Sequence, residues 1–185
     1  AAKQRGVFVT IDMEDYSRCQ KTIDIFKRLK TEYDNVGTVL QAYLYRTEKD
    51  IDDLKPYRPN LRLVKGAYKE SPEVAFPDKK DVDENFKKII KQHLLNGNYT
   101  AVATHDDAII EYTKQLVKEY NIPNSQFEFQ MLYGIRPERQ VELAREGYTM
   151  RVYVPYGTDW DGYFMRRLAE RPANVAFVLK GMVRK

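Results

Sequence analysis

Two periods of apolar and polar positions alternate along the chain. Short runs rich in β-branched and aromatic residues fall at 7–12, 38–43, 61–66, 100–106, 127–132 and 150–154, and they predict strands. Between them, apolar residues recur at helical spacing, as in Ile23, Phe26, Leu29 and Tyr33. Helices are predicted over 15–33, 48–54, 84–95, 108–120, 137–146 and 159–170. The segment 69–83, with Pro72 and Pro77, is too long for a plain connector and has the length of a lid or binding loop. Strand and helix alternate in units of about 30 residues, which implies parallel strands joined by crossover helices.

The polar residues in the strands choose between two such folds. Nearly every strand carries one near its C-terminal end: Asp12, Gln41, Arg62, Thr104 with His105, Gln130 and Tyr153. In a closed barrel those ends converge on one mouth, where active sites sit. An open doubly wound sheet would carry a glycine-rich phosphate turn after a strand, and the sequence has none. The expectation is an α/β protein, a (β/α)8 TIM-type barrel of which about six βα units are present, forming a single domain over 1–185. Two units are expected to be absent at the N-terminus.

Within that pattern the stretch 62–68 stands out, because it sets Arg62 and Lys65 in an apolar strand that stops at Gly66. A buried cation needs a partner or a ligand, and strand alternation sends these two to opposite faces. An ordinary strand end whose arginine meets a core carboxylate would look the same. In the last predicted helix Tyr163, Arg166, Arg167 and Glu170 share a face, readable as a solvated surface or as a clamp for a carboxylate.

Composition narrows the function classes. The chain has 185 residues, 43% hydrophobic and 31% charged, which suits a packed core. No apolar run is long enough to span a membrane, and no signal peptide is visible at the start. The single cysteine, Cys19, excludes an internal disulfide framework and fits a reducing, cytoplasmic setting. A net charge of +4, mixed along the chain, gives no nucleic-acid footprint. Neither histidine has metal-ligand neighbours: His93 reads as a solvated residue in mid-helix, and His105 ends a strand at the mouth.

Several stretches together resemble one family. They are RLVKGAY at 62–68, ATHD at 103–106, FEFQMLYG at 127–134, RVYVPYG at 151–157 and YFMRRLAERPAN at 163–174. In order and over essentially the whole chain they are similar to proline dehydrogenase of the monofunctional bacterial type, an FAD-dependent flavoenzyme of proline catabolism. The resemblance implies a barrel with FAD at its C-terminal mouth and hydride transfer from C5 of L-proline to flavin N5. Arg62 would match the arginine at N5 and Asp12 the carboxylate beside the flavin. Met13, Gln41, Lys65, Gly66, Ala67, Thr104 and His105 would match FAD-binding positions, with Lys79 reaching toward the pyrophosphate. Arg166 and Arg167 would match the pair that clamps the substrate carboxylate. Tyr153, Tyr163 and Glu170 would line the same pocket, with Tyr68 and Leu132 near the ring.

The family also implies a quinone-type electron acceptor and peripheral contact with a membrane. It places two strands ahead of residue 7, the second carrying a lysine that joins the arginine pair, so the missing N-terminal part of the same protein is an expected partner. Two other readings stay open: a Schiff-base, aldolase-like barrel using Lys65, and a non-catalytic barrel fragment acting as an assembly module.

Overall fold

The computed structural model describes residues 1–158. Ala1–Tyr153 forms one compact unit; Val154–Lys185 forms a second, of which only the first few residues are described. The predicted helix over 159–170 lies outside the described residues.

All six predicted strands are present: β1 (Val9–Ile11), β2 (Val36–Gln41), β3 (Asn60–Val64), β4 (Thr100–Ala103), β5 (Phe127–Leu132) and β6 (Met150–Tyr153). They form one sheet in chain order, and every neighbouring pair is parallel. The connecting helices are α1 (Tyr16–Glu32), α2 (Thr47–Leu54), α3 (Lys79–Leu95), α4 (Asp107–Glu119) and α5 (Pro137–Arg145). Right-handed crossovers that always step in the same direction put every helix on one face. The arrangement is a curled part of a TIM-type barrel, with helices outside and strand C-termini along one rim.

Alternation along β3 shows how the sequence separates the two faces. Leu61 and Leu63 are fully buried toward the helices, whereas Asn60, Arg62 and Val64 face the barrel interior. The helices answer with apolar stripes: Cys19, Ile23 and Phe26 on α1; Phe86, Ile89, Ile90 and Leu94 on α3; Ile109, Ile110, Leu116 and Val117 on α4. Phe127, Phe129 and Tyr148 close the far end of this core edge-to-face or tilted.

Two expectations need correction. Helix α3 begins at Lys79 rather than near residue 84, so Lys79 is a helical residue and not part of the long loop. His93 is fully buried rather than solvated. It shares the inner face of α3 with Phe86, Ile89 and Ile90, and its Nε2 lies 3.3 Å from the Tyr99 carbonyl. Burial pushes its pKa down to about 4, against the pull of the nearby Tyr99 and Pro59 carbonyls. The flanking lysines hid this, because they occupy the other side of the same helix.

Candidate active site

The rim is built from the residues at and just beyond each strand end. After β1 come Asp12 and Met13, after β3 Lys65, Gly66 and Ala67, and after β4 Thr104 and His105; Gln41 and Tyr153 end β2 and β6. All lie at the C-terminal ends of their strands, so the parallel sheet brings them to one edge. Tyr163, Arg166, Arg167 and Glu170 lie outside the described residues.

Arg62 is at the centre. Its guanidinium donates to the Asp12 carboxylate and lies 5.4 Å from the Tyr153 ring centroid, within cation–π range. The Tyr153 hydroxyl lies 3.4 Å from Asp12 and closes the triangle. Arg62 Nε is buried with no hydrogen-bond partner among the described residues, so the fork keeps donor capacity. The arginine–carboxylate pair considered from the sequence is therefore real. It sits on the interior face at the rim, with Asp12 half exposed, rather than in the core.

Lys65 goes the other way, as the alternation requires. Its ammonium is engaged by Asp83 on α3 and, at 2.8 Å, by Asp106, the N-cap of α4. Asp106 also accepts the Ala108 N–H, and these bonds, led by Lys65, hold its carboxyl below the ordinary carboxylate range. At Asp83, burial works to raise the pKa, but hydrogen bonds from Lys65 and Lys79 prevail and lower it. Lys79 itself is largely exposed and bonds to Asp83 at 2.7 Å. A cavity of about 320 Å³ opens beside this cluster, lined by Lys79, Asp83, Lys87 and Asp106 among others. Arg62 is not among its lining residues.

Just after Lys65, Gly66 has φ +119°, and a Cβ there would meet the Tyr43 ring at 2.2 Å. Only glycine fits this turn, because the Tyr43 ring packs against it, and the Lys65 carbonyl accepts the Tyr43 N–H at 2.9 Å. Gln41, nearly fully buried, donates to the Glu14 carbonyl at 2.9 Å and fixes the β1–α1 loop. His105 Nε2 accepts the Leu132 N–H at 3.0 Å, which in a neutral ring leaves the proton on Nδ1. Thr104 Oγ1 accepts the Asp106 N–H. Tyr68 donates to Glu14, and Glu70 accepts the first N–H of α1, so the long loop is tied across to the β1–α1 loop.

The sequence reading gave no role to Glu14, Tyr43, Glu70 or Asp83. Glu14, Tyr43 and Glu70 act on partners more than twenty residues away, and Asp83 on Lys65 as well as on Lys79 one turn before it, and no local pattern marks the distant pairs. Asp106 was visible within a motif, and its place before an apolar helix marks it as a cap.

Parallel strands in chain order, with polar side chains gathered at their C-terminal ends, define a TIM-type barrel architecture whose candidate site lies on that rim. The chain belongs to the proline dehydrogenase family, whose profile matches residues 1–180. It is 67% identical over 184 residues to proline dehydrogenase 2 of Bacillus subtilis, covering 100% of this chain and 61% of that protein. It is 53% identical to proline dehydrogenase of Deinococcus radiodurans, covering 99% of this chain and 60% of the relative. Among solved structures, proline utilization A from Bdellovibrio bacteriovorus, inactivated by N-propargylglycine, aligns with TM-score 0.84 and 32% identity over 90% of this chain and 20% of that one. The chain thus spans about three fifths of the length of these curated relatives.

Proposed function

We propose that this chain is the flavin-binding part of an enzyme that oxidises L-proline to Δ1-pyrroline-5-carboxylate, the first step of proline catabolism. The observation that carries the reading is Arg62, held on the barrel interior by Asp12 and Tyr153 with a donor still unused. The residues fit FAD held non-covalently. Arg62 offers an oriented N–H, and the tight Gly66 turn after β3 and His105 after β4 stand at neighbouring strand ends. The chemistry supplied by the bound flavin is acceptance at N5 of a hydride from proline C5, while the amine proton leaves to water.

In this reading Arg62 stabilises charge that builds during the transfer, and Asp12 keeps its fork in place. Lys65, Gly66 and Ala67, with Met13, Gln41, Thr104 and His105, hold the cofactor. Arg166 and Arg167 bind the substrate carboxylate, with Tyr153, Tyr163 and Glu170 lining the pocket. No helix among the described residues is long and apolar enough to cross a membrane. A cytoplasmic enzyme that meets a membrane quinone peripherally agrees with that, and a longer protein would supply the rest of the barrel. A Schiff base at Lys65 is disfavoured, because two carboxylates already engage its nitrogen.

The test is to load the intact protein with FAD and follow bleaching of the flavin by L-proline. Arg62→Ala should slow that reduction about a hundredfold or more. A parent protein whose flavin is not bleached by proline would refute the function. An Arg62→Ala variant reduced at the parent rate would refute the role of Arg62.

A further inference from the structure

A second charged group lies in the barrel interior, and the site described above does not use it. Glu128 on β5 is almost wholly buried, yet it points to the interior face. In the sheet register Arg62 pairs with Ala101 and Ala101 with Glu128, so the three side chains share a face and a level. Two strand spacings separate Arg62 from Glu128, about 10 Å. Both carboxylate oxygens of Glu128 are saturated. Oε1 accepts from Gln130 Nε2 at 2.5 Å and Arg151 Nε at 2.7 Å; Oε2 accepts from Tyr99 Oη at 2.9 Å and Arg151 Nη2 at 2.8 Å.

Burial alone would raise the Glu128 pKa, but these donors, Arg151 foremost, lower it, so the group is an anion. Burial and the carboxylate push Tyr99 up to about 12, so it remains a donor. A buried carboxylate of this kind is costly unless fully bonded, and replacing it by apolar residues would serve packing as well.

The partner shows what the anion does. Arg151 is on β6, and two residues further, on the same face, is Tyr153. The bidentate bond fixes Arg151 in both position and direction, as a fork on a carboxylate does and a point charge does not. We propose that Glu128 is a positioning residue. Through its bidentate grip on Arg151 it sets the height of β6 and so holds the Tyr153 ring against Arg62 and Asp12. The proposal rests on the proline-oxidation reading only for its kinetic consequence; the geometric part stands on its own.

The test uses Glu128→Gln and Arg151→Lys in the intact protein. Arg151→Lys keeps the neutralising charge but cannot make the two-pronged bond, so it separates positioning from mere charge balance. In crystal structures of the flavin-free variants, the Tyr153 ring should leave its 5.4 Å station over Arg62. In the FAD-loaded variants, reduction by L-proline should slow about tenfold or more, the scale expected for a misplaced site group. Introduced into a Tyr153→Ala background, Glu128→Gln should cost nothing further, because the ring it positions is gone. Three results would each overturn the proposal: a ring still in place in both variants, an Arg151→Lys protein that behaves as the parent, or effects that multiply fully in the Tyr153→Ala background. A parent inactive toward proline would refute the function instead, and the ring position would still decide this proposal.

Discussion

At the scale of single residues, Gly66 and His93 show two ways in which a side chain is dictated by its surroundings. Gly66 is forced from both sides: φ +119° excludes other L residues, and the Tyr43 ring occupies the space of a Cβ. Gly66→Ala should therefore displace Tyr43 or the 65–67 backbone and cost more than the ordinary glycine-to-alanine change, about 2 kcal/mol or more. Thermal unfolding and FAD titration by fluorescence quenching should both report it, and a variant matching the parent in both would show that the turn is not constrained. His93 is kept neutral by burial. Its folded pKa, about 4, lies below the unfolded value of 6.5, so the unfolded chain takes the proton first. Stability from this group is whole above about pH 6.5 and drains as pH falls toward 4. Between pH 7 and pH 5 a His93→Gln protein should lose about 2 kcal/mol less than the parent in urea unfolding. Equal losses would mean that His93 takes up its proton without unfolding.

Among the elements, α3 and α4 are joined through their N-termini by Lys65, which binds Asp83 in the first and Asp106 at the start of the second. Asp106 does two things at once, capping α4 through Ala108 and anchoring Lys65. Asp106→Asn keeps an oxygen for the cap but loses the anion, whereas Asp106→Ala loses both. Alanine should cost about 1 kcal/mol more than asparagine in thermal unfolding. The carboxyl is held below its ordinary value, so the contribution of the ion pair is present above about pH 3.8 and is lost as pH falls through the lowered folded value. The acid limb of unfolding should flatten in both variants. Identical melting of the two would show that the cap contributes nothing. The alternation of strand and helix was legible in the sequence because period and turn residues are local signals. The start of α3 was not: residues 79–83 are Lys-Lys-Asp-Val-Asp, with a single apolar residue, and they join the helix because Lys79 and Lys65 hold Asp83. Arg62, Gly66 and His105 stood out as chemistry in the wrong place for a plain strand. Glu14, Asp83 and Glu70 did not, because they matter only through contacts that the fold creates.

For the whole molecule the decisive feature is the edge of the sheet. Strand β1 is outermost in the six-stranded order and pairs only with β2 among the described residues. Val7 and Phe8, just before the strand, and Val9, its first residue, are 51%, 44% and 39% exposed, and no strand among the described residues pairs with the other side of β1. Such an edge recruits another strand. In a closed barrel it would be covered by a neighbouring strand, and the curated relatives are long enough to supply one, since this chain spans 61% of the first of them. We expect the 185-residue chain on its own to self-associate and to melt below a chain extended to the relatives' full length. Sedimentation and thermal unfolding of the two would show it. The sharper check is a single substitution with opposite consequences. Val9→Lys places a charge on the open edge, so in the short chain it should suppress self-association with little loss of stability. In the extended chain the same lysine, which the register places on the helix face, would be covered by the added helical layer, and burying it unpaired should destabilise the barrel by several kcal/mol. If Val9→Lys acts alike in both chains, β1 stays an edge in the longer protein and the barrel does not close on that side.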